Sequence, residues 1–138
     1  MGQRLKGKRV LVTQAEDYMG PDTISLFSEH GAEIFADSRD LTQPGATEDL
    51  IAEAGHIDIL VANLAANAGK PTQATDNTDE HWQTMFDVMV HPLHRLCRAG
   101  LPQMYTRQAG KVIVYGSATG LNALERFSAY ATARTAQV

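Results

Sequence analysis

A chain of 138 residues with 43% hydrophobic content has enough apolar side chains to bury the core of one domain. Its formal charge of −4 leaves no basic surface for nucleic acid, and its one cysteine, Cys97, excludes an internal disulfide framework. No apolar run reaches the length of a membrane span or of a leader's core, so a cytoplasmic protein is expected, with no repeat or low-complexity segment.

Along the chain, "RVLVT" (9–13) is a short apolar run and predicts a buried strand. Pro21 suits the first position of a helix running to about His30. "GAEIFAD" (31–37) follows as a second strand, "TEDLIAEAG" (47–55) as a helix stopped by Gly55, and "IDILVAN" (57–63) as a third strand. A long helical stretch then carries Trp82, Met85, Phe86, Met89, Leu93, Leu96, Cys97 and Leu101 at helical spacing, with Pro92 expected to bend or interrupt it. "GKVIVYGS" (110–117) is a fourth strand, and "RFSAYATARTAQ" (126–137) begins a last helix.

Strands that are apolar throughout, alternating with helices, predict a parallel sheet covered on both faces: a doubly wound, Rossmann-like α/β domain over 1–138. Ligands of such folds lie outside the carboxyl ends of the strands, which here are Thr13, Asp37, Asn63 and Ser117. The link between the second and third strands has room for one helix only, where the doubly wound pattern often has a helix, a strand and a helix.

The turn after the first strand, "TQAEDYMG" (13–20), stands where a dinucleotide fold uses three glycines. Only Gly20 remains, in the helix-packing position. Gln14 and Tyr18 occupy the other two, and the Tyr18 ring stands where backbone would meet phosphate. An ordinary strand–helix loop unrelated to nucleotides is the alternative reading of this turn alone.

Ser117, Tyr130 and Arg134 form a chemical trio. Tyr130 and Arg134 lie four residues apart on one helix face, and Ser117 ends a strand. A tyrosine of ordinary pKa is a poor base at neutral pH; a cation beside it favours the phenolate and lowers that pKa. A serine hydroxyl can fix a substrate oxygen nearby. Such a site takes a proton from an alcohol.

With its strand order, "IDILVAN", and a Ser thirteen residues before Tyr-x-x-x-basic, the chain resembles the short-chain dehydrogenase/reductase superfamily. It departs from that pattern at Arg134 (usually Lys), at the glycine turn, at "ANLA" (62–65), where Asn63 alone is retained, and at Met89, where an asparagine is usual. One branch is similar in these departures. The halohydrin dehalogenases carry Ser-x12-Tyr-x3-Arg, as at Ser117, Tyr130 and Arg134, and Thr-x4-Phe/Tyr-x-Gly, as at Thr13, Tyr18 and Gly20. "YMG", "AGHIDILVAN" and "VHPLHRLCRAGLPQ" resemble the B-type members. The resemblance implies a cofactor-independent lyase, with no metal, acting on vicinal haloalcohols. In it Tyr130 takes the hydroxyl proton, Arg134 lowers the Tyr130 pKa and Ser117 binds the oxygen. Thr13, Tyr18 and Gly20 border the halide or substrate pocket. It further implies epoxide opening by small anions, a homotetramer, and further strands beyond Val138 that complete the fold and much of the halide site. An NAD(P)-dependent oxidoreductase or a non-catalytic relative are the alternatives.

Elsewhere the expectations are structural. "HPLH" (91–94) has no third metal ligand nearby, Cys97 packs as a small hydrophobe, and Asp76, Asp79 and Glu80 suit a helix start. Asp37, which could bind an adenine ribose in a dehydrogenase, is assigned a structural or vestigial role given the blocked turn.

Overall fold

The computed structural model describes residues 2–66, 71–122 and 124–138. Four strands, β1 (Arg9–Val12), β2 (Glu33–Ala36), β3 (Ile59–Ala62) and β4 (Lys111–Val114), form one parallel sheet in the order β2-β1-β3-β4. Five helices accompany them: α1 (Gly20–Glu29), α2 (Ala46–Ala54), α3 (Asp79–Met89), α4 (His91–Arg107) and α5 (Ser128–Ala136). The expected doubly wound, Rossmann-like architecture is observed.

The two inner strands explain the apolar runs. Val10 and Val12 of β1 join Ile59 and Val61 of β3 on one face, against Ile24 and Phe27 of α1. Leu11, Leu60 and Ala62 face the other way, onto α2 and α4 through Leu50, Ile51, Leu96 and Met104. Each fully buried leucine there contributes about 2 kcal/mol by leaving water. A third cluster, Met85, Met89, Ala129 and Ala133, packs α3 on α5. β2 is an edge strand with Glu33 and Ala36 exposed.

A single helix, α2, carries the chain from β2 across β1 to β3, as the short link requires. The strand order turns back between β1 and β3, the point where a crevice opens at the carboxyl ends of the strands.

The long helical stretch divides where Pro92 predicts. Pro92 has no N–H to give to the carbonyl four residues back, so it stands in the first turn of a new helix, where that donor is not required. α4 runs past Leu101, the last apolar residue of that spacing, and through Pro102 to Arg107. Buried Leu96, Gly100 and Met104 hold this helix against the sheet on either side of Pro102, and packing outweighs one lost hydrogen bond.

Candidate active site

The turn between β1 and α1 has left-handed backbone at two positions that carry side chains, and keeps one glycine, Gly20. Gln14 and Tyr18 have positive φ, 43° and 52°, the left-handed region that costs a residue with a side chain about 1–2 kcal/mol. Asn63, fully buried after β3, compensates. Its Nδ2 donates to Gln14 O and to Asp17 O, both at 2.9 Å. The Gln14 side chain returns the grip, accepting from Ala65 N at 2.8 Å. Gly20 is required sterically, since a Cβ there would lie 2.5 Å from Ala15 O and 2.6 Å from Gln14 O.

The trio sits across from this turn. Arg134 Nε donates to Tyr130 Oη at 2.9 Å, the contact their four-residue spacing predicts. Ser117 caps a single 3-10 turn (Ala118–Gly120), its Oγ accepting from Thr119 N at 3.2 Å. Thr135 Oγ1 donates to Gly120 O at 2.7 Å and ties that turn to α5. Among the described residues Ser117 and Tyr130 make no direct hydrogen bond; two secured elements present them instead.

Arg134 is the unusual member. Its side chain is buried at 1% exposure, yet it makes no ion pair among the described residues. Nη1 donates to Leu64 O (3.0 Å), Tyr115 O (2.9 Å) and Gln137 Oε1 (3.0 Å). The guanidinium carbon lies 5.1 Å from the Tyr130 ring centre and 5.4 Å from that of Tyr18, within cation–π range of both. Burying a cation is costly unless it is paired, and among the described residues neutral acceptors and two aromatic rings do the compensating.

Of the residues the sequence singles out, Tyr18, Tyr130 and Arg134 are brought together. The Thr13 hydroxyl is fully buried and turned toward Val61 O and Asn63 O, at 3.5 and 3.4 Å. Gly20 serves the turn's packing. The sequence does not single out Gln137 or Tyr115. Gln137 orients Arg134, holding Met89 O and Leu64 O with Nε2 at 3.0 and 3.3 Å. Its place three residues after Arg134 was the available signal. Tyr115 meets the Tyr18 ring edge-on at 6.4 Å, and its hydroxyl shares a 2.6 Å hydrogen bond with Thr23 Oγ1. Asn63 stands out in the sequence as a retained strand-end residue, but nothing there shows that it clamps the turn.

Asp37 accepts from Arg39 N at 3.0 Å and from Arg39 Nε at 2.7 Å, and Arg39 Nη2 reaches Glu53 at 2.6 Å. Its hydrogen bonds to Glu53, then to Asp37, hold the Arg39 proton more tightly than usual. Among the described residues no cluster of three His, Cys, Asp or Glu side chains could hold a metal. His91 pairs with Asp87 at 3.7 Å, and burial pushes the Cys97 thiol up. No described helix is long and apolar enough to cross a membrane. A groove of 820 Å³ between Arg4, Lys8, Met104 and Lys111 lies at the other end of the strands, away from the trio.

The model of the short chain dehydrogenase family matches residues 4–138. The chain is 29% identical over 164 aligned residues to an uncharacterized oxidoreductase of Bacillus subtilis, covering 100% of this chain and 62% of the relative. It is 30% identical to D-xylose 1-dehydrogenase of Caulobacter vibrioides, covering 94% and 61%. Among solved structures, serine dehydrogenase from Escherichia coli superposes with a TM-score of 0.84 at 26% identity, over 92% of this chain and 70% of that one. A structure described as a dehalogenation enzyme gives 0.85 at 24% identity, over 97% and 64%, a likeness of fold. The chain thus spans a little under two thirds of the length of these curated relatives.

Proposed function

Because the chain belongs to the short chain dehydrogenase family, we propose that its Ser-Tyr-Arg trio serves a cofactor-independent member, a halohydrin dehalogenase. The observation that carries this reading is the position of the Arg134 guanidinium, 5.1 Å from the Tyr130 ring and 5.4 Å from the Tyr18 ring. The cation is committed to the phenol and to carbonyls, and the side chain that fills the glycine turn stands over the same cation.

The nicotinamide dinucleotide that the family's dehydrogenases use does not fit these residues. Its pyrophosphate needs bare backbone in the turn, and Gln14 and Tyr18 carry side chains at those positions. The Asp37 carboxylate, which would hold an adenine ribose, is taken by Arg39.

In the proposed reaction Ser117 Oγ and Tyr130 Oη bind the hydroxyl of a vicinal haloalcohol. Tyr130, as phenolate stabilised by Arg134 Nε–H, takes the hydroxyl proton. The oxygen's electron pair forms a bond to the neighbouring carbon, the carbon–halogen bond breaks, and halide leaves with that pair. Epoxide, halide and a protonated Tyr130 result. Run backwards, a small anion opens an epoxide and the alkoxide recovers its proton. Homotetramer assembly and a cytoplasmic setting belong to the same proposal.

The names of the curated relatives favour a second reading, an NAD(P)-dependent alcohol oxidation at the same tyrosine. One assay separates the two: chloride release from 1,3-dichloropropan-2-ol without nucleotide, with Tyr130→Phe as control. Release that disappears in the variant is expected. Nucleotide-dependent oxidation of an alcohol, with no chloride release, would overturn the proposal.

A further inference from the structure

Tyr115 takes no part in the proposed reaction, yet it touches both sides of the site. It stands between β4 and Ser117, and its carbonyl accepts from Arg134 Nη1 at 2.9 Å. Its side chain reaches the opposite wall. The ring meets that of Tyr18 edge-on at 6.4 Å, and the hydroxyl lies 2.6 Å from Thr23 Oγ1 in α1.

The direction of that hydrogen bond follows from a proton count. Thr23 Oγ1 also lies 2.6 Å from Met19 O, and a carbonyl only accepts, so the one Thr23 hydroxyl proton is spent on Met19. Tyr115 is therefore the donor to Thr23. The result is a directed relay, Tyr115 Oη–H to Thr23 Oγ1–H to Met19 O, and Met19 adjoins Tyr18 in the chain. A threonine bonded back to the carbonyl four residues earlier is common in helices. A phenol 92 residues away that donates to it is not something the helix requires.

Tyr18 needs such a hold. Its φ is 52°, it is 51% exposed, and its hydroxyl makes no hydrogen bond among the described residues. The Asn63 clamp stops at Asp17 O. Beyond that point the Tyr18 ring rests on the Arg134 guanidinium and the Tyr115 ring, and the relay pins Met19 beside it.

We propose that Tyr115 is a positioning residue: through Thr23 and Met19, its hydroxyl sets how far the Tyr18 wall stands from Ser117 and Tyr130, and so the size of haloalcohol the site accepts. The substrate in this inference rests on the dehalogenase reading; the hold on Tyr18 rests on the relay. Loss of the hydroxyl frees the wall and leaves the Tyr115 carbonyl on Arg134, so substrate fit changes while the base does not.

Tyr115→Phe, Thr23→Val and the double variant test this, by chloride release from 1,3-dichloropropan-2-ol and by hydrogen exchange. Tyr115→Phe should raise KM about fivefold, the worth of one neutral hydrogen bond, with kcat within about twofold and the pH profile unshifted. The bulkier 2-bromo-1-phenylethanol should lose less than this small substrate. Thr23→Val should match Tyr115→Phe, and the double variant should be no worse than either, since both break one relay. Exchange should quicken in residues 14–23 and stay unchanged in β1 and β3. KM effects that multiply in the double variant, or a fall in kcat at unchanged KM, would overturn the role. If Thr23→Val fails to fold, the substrate-size ratio of Tyr115→Phe decides alone. Chloride release with KM and exchange unchanged in Tyr115→Phe removes the relay and leaves the dehalogenase. No chloride release, with non-additive quickening confined to residues 14–23, leaves the relay's hold on Tyr18 standing and removes the dehalogenase.

Discussion

Two arginines of this protein meet opposite fates. Arg39, after the edge strand β2, lies between two carboxylates, at 2.7 Å from Asp37 and 2.6 Å from Glu53, with its side chain 28% exposed. Its charge is cancelled where it arises, by residues close in sequence. Arg134 is sealed at 1% exposure and held by carbonyls and an amide, two of them contributed by Leu64 and Tyr115 from distant parts of the chain. A cation already neutralised serves the fold. One left without a negative partner acts on negative charge appearing beside it, and Tyr130 Oη is 2.9 Å away.

Breaking that contrast should hurt most at the phenol. Tyr130→Phe removes the base and is expected to lower halide release by about 10²–10⁴-fold with little change in urea stability. Arg134→Gln orphans the buried acceptors Leu64 O and Tyr115 O, and should cost about 3 kcal/mol in urea unfolding as well as activity. Arg39→Gln should cost far less stability and leave halide release unchanged; equal costs for the two arginines would erase the distinction. Gly20→Ala forces a Cβ onto Ala15 O and should destabilise by about 2 kcal/mol, with a loss of activity as the turn shifts.

A smaller effect should appear with pH. Asp58 accepts from Arg9 N at 2.9 Å, and that bond, ahead of its neighbours His56 and Lys8, lowers its carboxyl below the ordinary value. A lowered folded value means the stabilisation is full above the unfolded pKa, about 4, and is lost as pH falls through the folded one. Asp58→Asn should therefore flatten the acid limb of urea stability against pH. The mildest change is Gln108→Gly. Gln108 closes α4 at φ 51°, and glycine there should add up to about 1 kcal/mol without touching halide release.

The sequence shows the sheet because β1 and β3 are buried on both faces and read as unbroken apolar runs. Pro92 shows the helix break because a missing N–H acts locally. Pro102 carries the same local signal and is overridden, since Gly100 and Met104 are held by partners that sequence spacing cannot reveal. The site divides along the same line. The Tyr130–Arg134 contact is a matter of helical spacing and was legible. Gln14 and Tyr18 were legible as residues in glycine positions, though not their left-handed backbone or the Asn63 clamp, which joins positions 49 and 46 residues apart. The Leu64 carbonyl reaches Arg134 across 70 residues and Tyr115 across 19, contacts that exist only once the sheet has formed.

The central claim is that Tyr18 and Arg134 now serve a phenol and not a dinucleotide, and a fluorescence titration of the protein with NADH and NADPH tests it most directly. The account predicts no saturable binding up to millimolar nucleotide. Micromolar binding of either one, lost on Asp37→Ala, would contradict it and restore the oxidoreductase reading.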